Sequence, residues 1–192
     1  MKAELASRPA RRPQVRLTAR DYYDLPQGPP YFQLIEGRLH MSPSPEGSHQ
    51  DITGNVFFII RQHLKKHPLG KVRTAPSDVE FDAYNVYQPD VYFIPRSRFQ
   101  LLSKQGAQGA PALVVEVLSK STARLDKGPK RKLYAQEGVE EYWIVDQEAR
   151  AVTVYRFAES VDEPIAVYSG EQKFTTPVLP GLKISLAEIF EE

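Results

Sequence analysis

Residues 111–118 read PALVVEVL, an apolar run interrupted by one charged residue, Glu116. A strand this apolar normally lies inside a sheet that other elements cover on both faces. An ionised Glu116 at such a position carries a large desolvation cost unless a cation or several hydrogen-bond donors contact it. Two explanations are open at this point, a structural salt bridge near the strand end and a bound divalent metal ion.

A second acid, Asp90, precedes this strand within QPDVYFI at residues 88–94. Pro89 has no N–H to donate to a sheet, so it belongs at a strand start or at a sheet edge. Asp90 is therefore expected at the mouth of the strand that follows it. A Pro-Asp pair by itself is typical of a turn or a cap. If the two strands are neighbours, Asp90 and Glu116 supply two oxygen ligands of the kind that Mg²⁺ or Mn²⁺ prefers.

A basic helix is predicted after the strand, over residues 122–137. Asp126, Lys130 and Tyr134 are spaced i, i+4 and i+8, so they share one face of this helix. Residues 124–132 hold five lysines and arginines. Such a patch can contact phosphates even in a protein of near-zero net charge. A solvated face with ion pairs is the alternative.

The rest of the chain predicts an α/β fold in which helices flank a central mixed β-sheet. A hairpin over residues 31–41 turns at 36–37, and apolar spacing predicts a long amphipathic helix over 48–67. Residues 97–109 are expected to form a polar loop. Further strands and short helices are predicted at 18–25, 72–75, 79–81, 91–94, 112–118, 142–145, 152–157, 165–168 and 185–190. We expect a basic, flexible arm over residues 1–16 and a single domain over 17–192.

Composition excludes several classes of function. The 192 residues contain no cysteine, so disulfides, thiolate metal sites and cysteine nucleophiles are absent. The net charge of +1 gives no overall field that would hold nucleic acid, so binding would need local clusters of charge. The longest apolar run, at residues 56–60, is far too short to span a bilayer. These features predict a soluble cytoplasmic protein with no membrane partner.

The order and spacing of these segments resemble the Uma-type restriction endonucleases, which belong to the PD-(D/E)XK nuclease superfamily. The resemblance runs from about Leu17 to Phe190 and includes His49 near the start of the long helix. It rests on QPD at 88–90, LVVEVLS at 113–119, the helix at 121–134 and GVEEYWIVD at 138–146.

This resemblance implies a restriction-endonuclease-like core that uses Mg²⁺ or Mn²⁺ to hydrolyse DNA, often as a homodimer. Asp90 and Glu116 match the two metal-binding acids, and the backbone carbonyl of Val117 matches a third ligand. The superfamily lysine normally lies two residues after the glutamate, where this chain has Leu118. Lys130 on the following helix is the best match for that lysine.

The first hairpin departs from the family pattern. Relatives often have a glutamate where this chain has Gln33, and Glu36 at the turn is a candidate substitute. Asp126, Tyr134 and His49 are further candidate site residues. The missing acid and the near-neutral charge favour an alternative function, a nuclease-fold module that binds nucleic acid or a protein without cleavage. A two-carboxylate glycoside hydrolase is a third possibility, but the neighbouring lysines fit phosphate better than sugar.

Overall fold

The computed structural model describes residues 15–26, 28–42 and 46–191. Most of the predicted basic arm, residues 1–14, lies outside this range. The helices are α1 (Ala19–Tyr23), α2 (Gly47–Lys66), α3 (Ala123–Leu125), α4 (Arg131–Glu137) and α5 (Leu186–Ile189), with a 3₁₀ helix at Arg96–Leu101 and a π-helical turn at Asp126–Lys130. The strands are β1 (Phe32–Ile35), β2 (Arg38–Met41), β3 (Gly70–Thr74), β4 (Asp78–Asp82), β5 (Asn85–Tyr87), β6 (Val91–Pro95), β7 (Gly106–Gln108), β8 (Leu113–Val117), β9 (Glu141–Asp146), β10 (Ala151–Arg156), β11 (Ala166–Ser169), β12 (Lys173–Thr175) and β13 (Lys183–Ser185).

The largest sheet within the described residues is mixed and has the order β11-β10-β9-β8-β6-β3. Strand β8 pairs antiparallel with β6 and parallel with β9, and all five of its residues are buried. Val115 and Val117 pack with apolar residues of α2 in one hydrophobic cluster. Val114 and Leu118 pack with Tyr134 of α4 in another cluster. The prediction of an apolar strand covered on both faces is confirmed, as is the α/β class.

A second sheet carries the predicted hairpin and has the order β2-β1-β5-β4-β7. Strands β1 and β2 pair antiparallel, and the turn residues Glu36 and Gly37 both have positive φ, as a tight hairpin turn requires. A second sheet was not predicted. Its strand β7 lies within residues 97–109, where a polar loop was expected. Strand β7 pairs in parallel with β4, where a Cβ at Gly106 would collide with the Asp78 carbonyl oxygen. The close approach of the two backbones explains a strand without apolar alternation.

The predicted helix over residues 122–137 is broken into three parts. A π-helical turn separates α3 from α4 and contains Pro129. Proline lacks an N–H and its ring clashes with the carbonyl four residues earlier, so a regular α-helix cannot pass through this position undisturbed. π-Helical turns of this kind often occur at functional sites. The turn positions Asp126 and Lys130 inside the protein, as described below. No helix in the described part of the chain is long and apolar enough to cross a membrane.

Candidate active site

The carboxylate of Glu116 lies in a buried polar network beneath the π-helical turn. Its Oε1 atom accepts hydrogen bonds from Lys130 Nζ at 2.9 Å and from the Tyr134 hydroxyl at 2.6 Å. Lys130 Nζ also lies 3.0 Å from Asp126 Oδ1. Glu116, Lys130 and Asp126 are 3%, 2% and 1% exposed. The predicted helix face therefore does bring Asp126, Lys130 and Tyr134 together, and Glu116 forms an ion pair with Lys130.

This network holds one cationic group and two acidic side chains. One ammonium, Lys130, faces two carboxylates, and Asp126 Oδ1 accepts no aligned hydrogen bond from any residue that the structure describes. Burial raises the pKa of Glu116, although the Lys130 charge and the Tyr134 hydroxyl oppose this shift. Burial alone would lower the pKa of Lys130, but the charges of Glu116 and Asp126 outweigh it and raise that pKa. Lys130 therefore keeps its proton.

Asp90 lies beside the residue that follows Glu116. Its Oδ2 atom accepts a hydrogen bond of 2.7 Å from the backbone N–H of Val117. This contact follows from the antiparallel pairing of β6 with β8, in which Val91 lies opposite Val115. The negative charge of Asp90 also contributes to the raised pKa of Glu116, so the two acids are within electrostatic reach of each other. The predicted position of Asp90 at a strand mouth is confirmed.

His49 lies in the first turn of α2, which packs on the face of the sheet opposite α4. Its imidazole lies beside Asp90 and the backbone of Val117. Its Nε2 atom lies 3.0 Å from the Val117 carbonyl oxygen and 3.3 Å from Asp90 Oδ2. Burial alone would lower the pKa of His49, but the hydrogen bond to Asp90 and the Asp90 charge outweigh burial and raise it. Sequence reasoning included His49 without a role, because a contact with a residue 68 positions away leaves no local signal.

Gln33 and Glu36 are not part of this network. Gln33 is buried in β1, where its Oε1 accepts a hydrogen bond from the Gln88 backbone N–H and its Nε2 donates to Ser42 Oγ. The hydrogen bond to Gln88 therefore fixes the backbone two residues before Asp90 relative to β1. Glu36 is exposed at the hairpin turn, and its carboxylate accepts no hydrogen bond from the described residues. Within the described part of the chain, neither side chain forms a hydrogen bond or ion pair with Glu116 or Lys130.

Sequence and structure comparisons place this site in a known family. The model of the Uma2 family, described as "Putative restriction endonuclease", matches residues 19–187. The chain belongs to this family. A crystal structure described as that of "a putative nuclease belonging to DUF820 from Anabaena variabilis" has a similar fold, with a TM-score of 0.77 at 20% sequence identity. The similarity covers 91% of this chain and 97% of that one, and fits a restriction-endonuclease-like fold. No curated protein matches the chain.

Restriction-endonuclease-like families generally use divalent metal ions, and this Uma2 protein has oxygen donors of the kind that such ions bind. The carboxylates of Asp90 and Glu116 and the carbonyl of Val117 are oxygen donors that suit Mg²⁺ or Mn²⁺. Among the described residues, no three His, Asp or Glu side chains lie close enough together to form a metal site by themselves. A backbone carbonyl must therefore complete any such site, and Val117 offers one beside Asp90.

The predicted basic patch is only partly available for phosphates in this Uma2 protein. Lys130 is buried against Glu116. Arg131 donates from Nη1 to the carbonyl oxygens of Val161 at 2.6 Å and Asp162 at 2.7 Å, so it fixes a loop. The patch residues that remain exposed are Arg124, Lys127 and Lys132.

Proposed function

We propose that this Uma2 protein is an endonuclease that hydrolyses DNA phosphodiester bonds with a bound Mg²⁺ or Mn²⁺ ion. The observation that supports this most is the convergence at the ends of β6 and β8. Asp90 binds the amide of Val117, and Glu116, one residue earlier, is held by Lys130 and Tyr134. The nearness of two acids and one ammonium at this edge of the sheet supports the proposal, although the lysine comes from the following helix and not from position 118. Asp90, Glu116 and the Val117 carbonyl would hold the metal ion.

The chain's own residues have separate roles in this proposal. A bound divalent ion supplies Lewis-acid polarisation of the phosphate and activation of water. Lys130 keeps its proton and acts as a fixed positive charge that stabilises the extra negative charge of the transition state. Asp126 and Glu116 hold the ammonium in place, and Tyr134 restrains the Glu116 carboxylate. Positioning of this kind is effective because a buried charge need not reorganise during the reaction.

Cleavage should depend strictly on a divalent metal and on a DNA substrate. We expect supercoiled plasmid to be nicked and linearised in Mg²⁺ or Mn²⁺, and to stay intact in excess EDTA because Lys130 alone cannot activate water. A single-stranded RNA of matched length serves as the substrate control, and we expect it to remain uncut. Gel analysis of products over time measures both results. Cleavage that continues unchanged in EDTA would contradict the metal-dependent mechanism.

A second candidate function is a nuclease-fold module that binds nucleic acid without cutting it. The observation in its favour is that Lys130 and Tyr134 already satisfy the Glu116 carboxylate, as a purely structural salt bridge would. A gel shift with plasmid fragments distinguishes the two functions, because a binding module retards DNA without producing fragments in either metal.

We also propose that the protein forms a homodimer, in which each of the two active sites cuts one strand of the DNA. Sedimentation equilibrium measures the mass of the assembly directly.

A further inference from the structure

His49 contacts the two atoms that the proposed function assigns to the metal site outside Glu116. Its Nε2 atom lies 3.0 Å from the Val117 carbonyl oxygen and 3.3 Å from Asp90 Oδ2. Those oxygens come from the β8 backbone and from the segment before β6, whereas His49 comes from α2. Three segments that are distant in the sequence therefore place one nitrogen atom within 3.3 Å of two oxygen atoms. The side chains of His49 and Asp90 are 12% and 18% exposed.

The separations of these donor atoms match those of neighbouring ligands around one ion. Bonds of about 2.1 Å at right angles place adjacent ligand atoms about 3.0 Å apart. The two measured separations, 3.0 Å and 3.3 Å, are close to this value. Without an ion, a single Nε2–H can point well at only one of the two oxygens. A shared cation would satisfy all three atoms together.

The second ring nitrogen of His49 faces a hydroxyl group of its own helix. His49 Nδ1 lies 3.5 Å from the hydroxyl oxygen of Thr53, one helical turn further along α2. A metal-binding histidine usually directs its other N–H to a nearby acceptor, which fixes the tautomer and the ring orientation. With the proton on Nδ1, the lone pair of Nε2 faces Asp90 and Val117.

We propose that His49 is a direct ligand of the metal ion, together with Asp90 and the Val117 carbonyl, and that it makes the site prefer Mn²⁺ over Mg²⁺. The inference rests on the proposed function, since it concerns the same ion. Mg²⁺ takes oxygen ligands and keeps several waters, whereas imidazole nitrogen binds first-row transition metals more readily. Loss of the nitrogen should therefore reduce Mn²⁺ affinity more than Mg²⁺ affinity. Glu116 remains the second acidic ligand of the proposed site, with its Oε1 atom held by Lys130 and Tyr134.

Pulsed electron paramagnetic resonance of bound Mn²⁺ tests this assignment without any measurement of cleavage. We expect one Mn²⁺ ion per chain in the wild-type protein, with the ¹⁴N modulation that a coordinated imidazole produces. In His49→Gln, which keeps a hydrogen-bond donor near Val117, the modulation should disappear. Calorimetry should then show Mn²⁺ affinity lower by about 10- to 100-fold, with a smaller loss for Mg²⁺. His67→Ala, at an exposed histidine at the end of the same helix, is the control and should match wild type.

The outcomes separate this inference from the proposed function. Stoichiometric Mn²⁺ without ¹⁴N modulation in the wild-type protein, or modulation that persists in His49→Gln, overturns the role of His49 and leaves the metal-dependent nuclease standing. Absence of Mn²⁺ binding to the folded wild-type protein overturns both. Circular dichroism of His49→Gln and of a second variant, His49→Ala, establishes that each protein is folded before the spectra are compared.

Discussion

The Lys130→Met variant is expected to cut DNA at least about 100-fold more slowly than the wild-type protein, because removal of one fixed charge that stabilises a transition state typically costs this much or more. Lys130 Nζ is the only ammonium within the described network of Glu116 and Asp126, so no neighbouring lysine can replace it. Methionine has a similar length and lacks the charge. The measurement is the initial rate of plasmid nicking at saturating Mn²⁺.

The control for this prediction is Lys173→Met, at an exposed position in β12 outside the site. It removes the same charge from the protein as a whole, so a general loss of attraction between protein and DNA would affect both variants equally. We expect Lys173→Met to cut at close to the wild-type rate. Equal rates for wild type and Lys130→Met would remove Lys130 from the mechanism.

The same Lys130→Met substitution should destabilise the folded protein by about 3–5 kcal/mol, as expected when one partner of a buried ion pair is removed. Glu116 and Asp126 would then be buried without a compensating cation. Urea unfolding at pH 8, in EDTA so that no metal contributes, measures the free energy of unfolding. A variant as stable as wild type at this pH would mean that the network carries little net charge.

The pH dependence of this loss has a definite sign. Burial raises the pKa of Glu116 in the folded protein above its value in the unfolded chain, and loss of the Lys130 charge removes the main opposing effect. The folded variant therefore takes up a proton that the unfolded chain does not bind, and its stability increases as the pH falls through the raised pKa. We expect part of the lost stability to return between pH 8 and pH 6. Lys173→Met, in which the Lys130 charge still opposes the shift, should show a smaller recovery than Lys130→Met.

Much of the fold could be predicted because its signals are local. Each confirmed prediction rests on a pattern among residues that are near one another in sequence. These patterns are the apolar run around Glu116, the turn at Glu36-Gly37 and the helical spacing of α2. Strands β5, β7, β12 and β13 were missed because each has three residues, too few to show alternation. Strand β7 in particular depends on the fit of Gly106 against Asp78, which only the folded backbone creates.

The candidate site was only partly predictable from the residues. The common face of Asp126, Lys130 and Tyr134 follows from helical spacing, even though a π-helical turn replaces the regular helix. The burial of Lys130 against Glu116 could not be predicted, because most of the basic residues around Lys130 in the sequence are exposed. The contact of His49 with Val117 depends on the packing of α2 against the sheet, and no local pattern reports it.

The central claim, that Asp90 and Glu116 hold a divalent ion beside Lys130, is tested most directly by a crystal of the wild-type protein soaked in Mn²⁺. Anomalous scattering locates manganese without reference to any assumed ligand. The account predicts one strong peak per chain within bonding distance of a carboxylate oxygen of Asp90, a carboxylate oxygen of Glu116 and the Val117 carbonyl oxygen. A soaked crystal with no peak at this point, or with manganese bound only elsewhere, would contradict it.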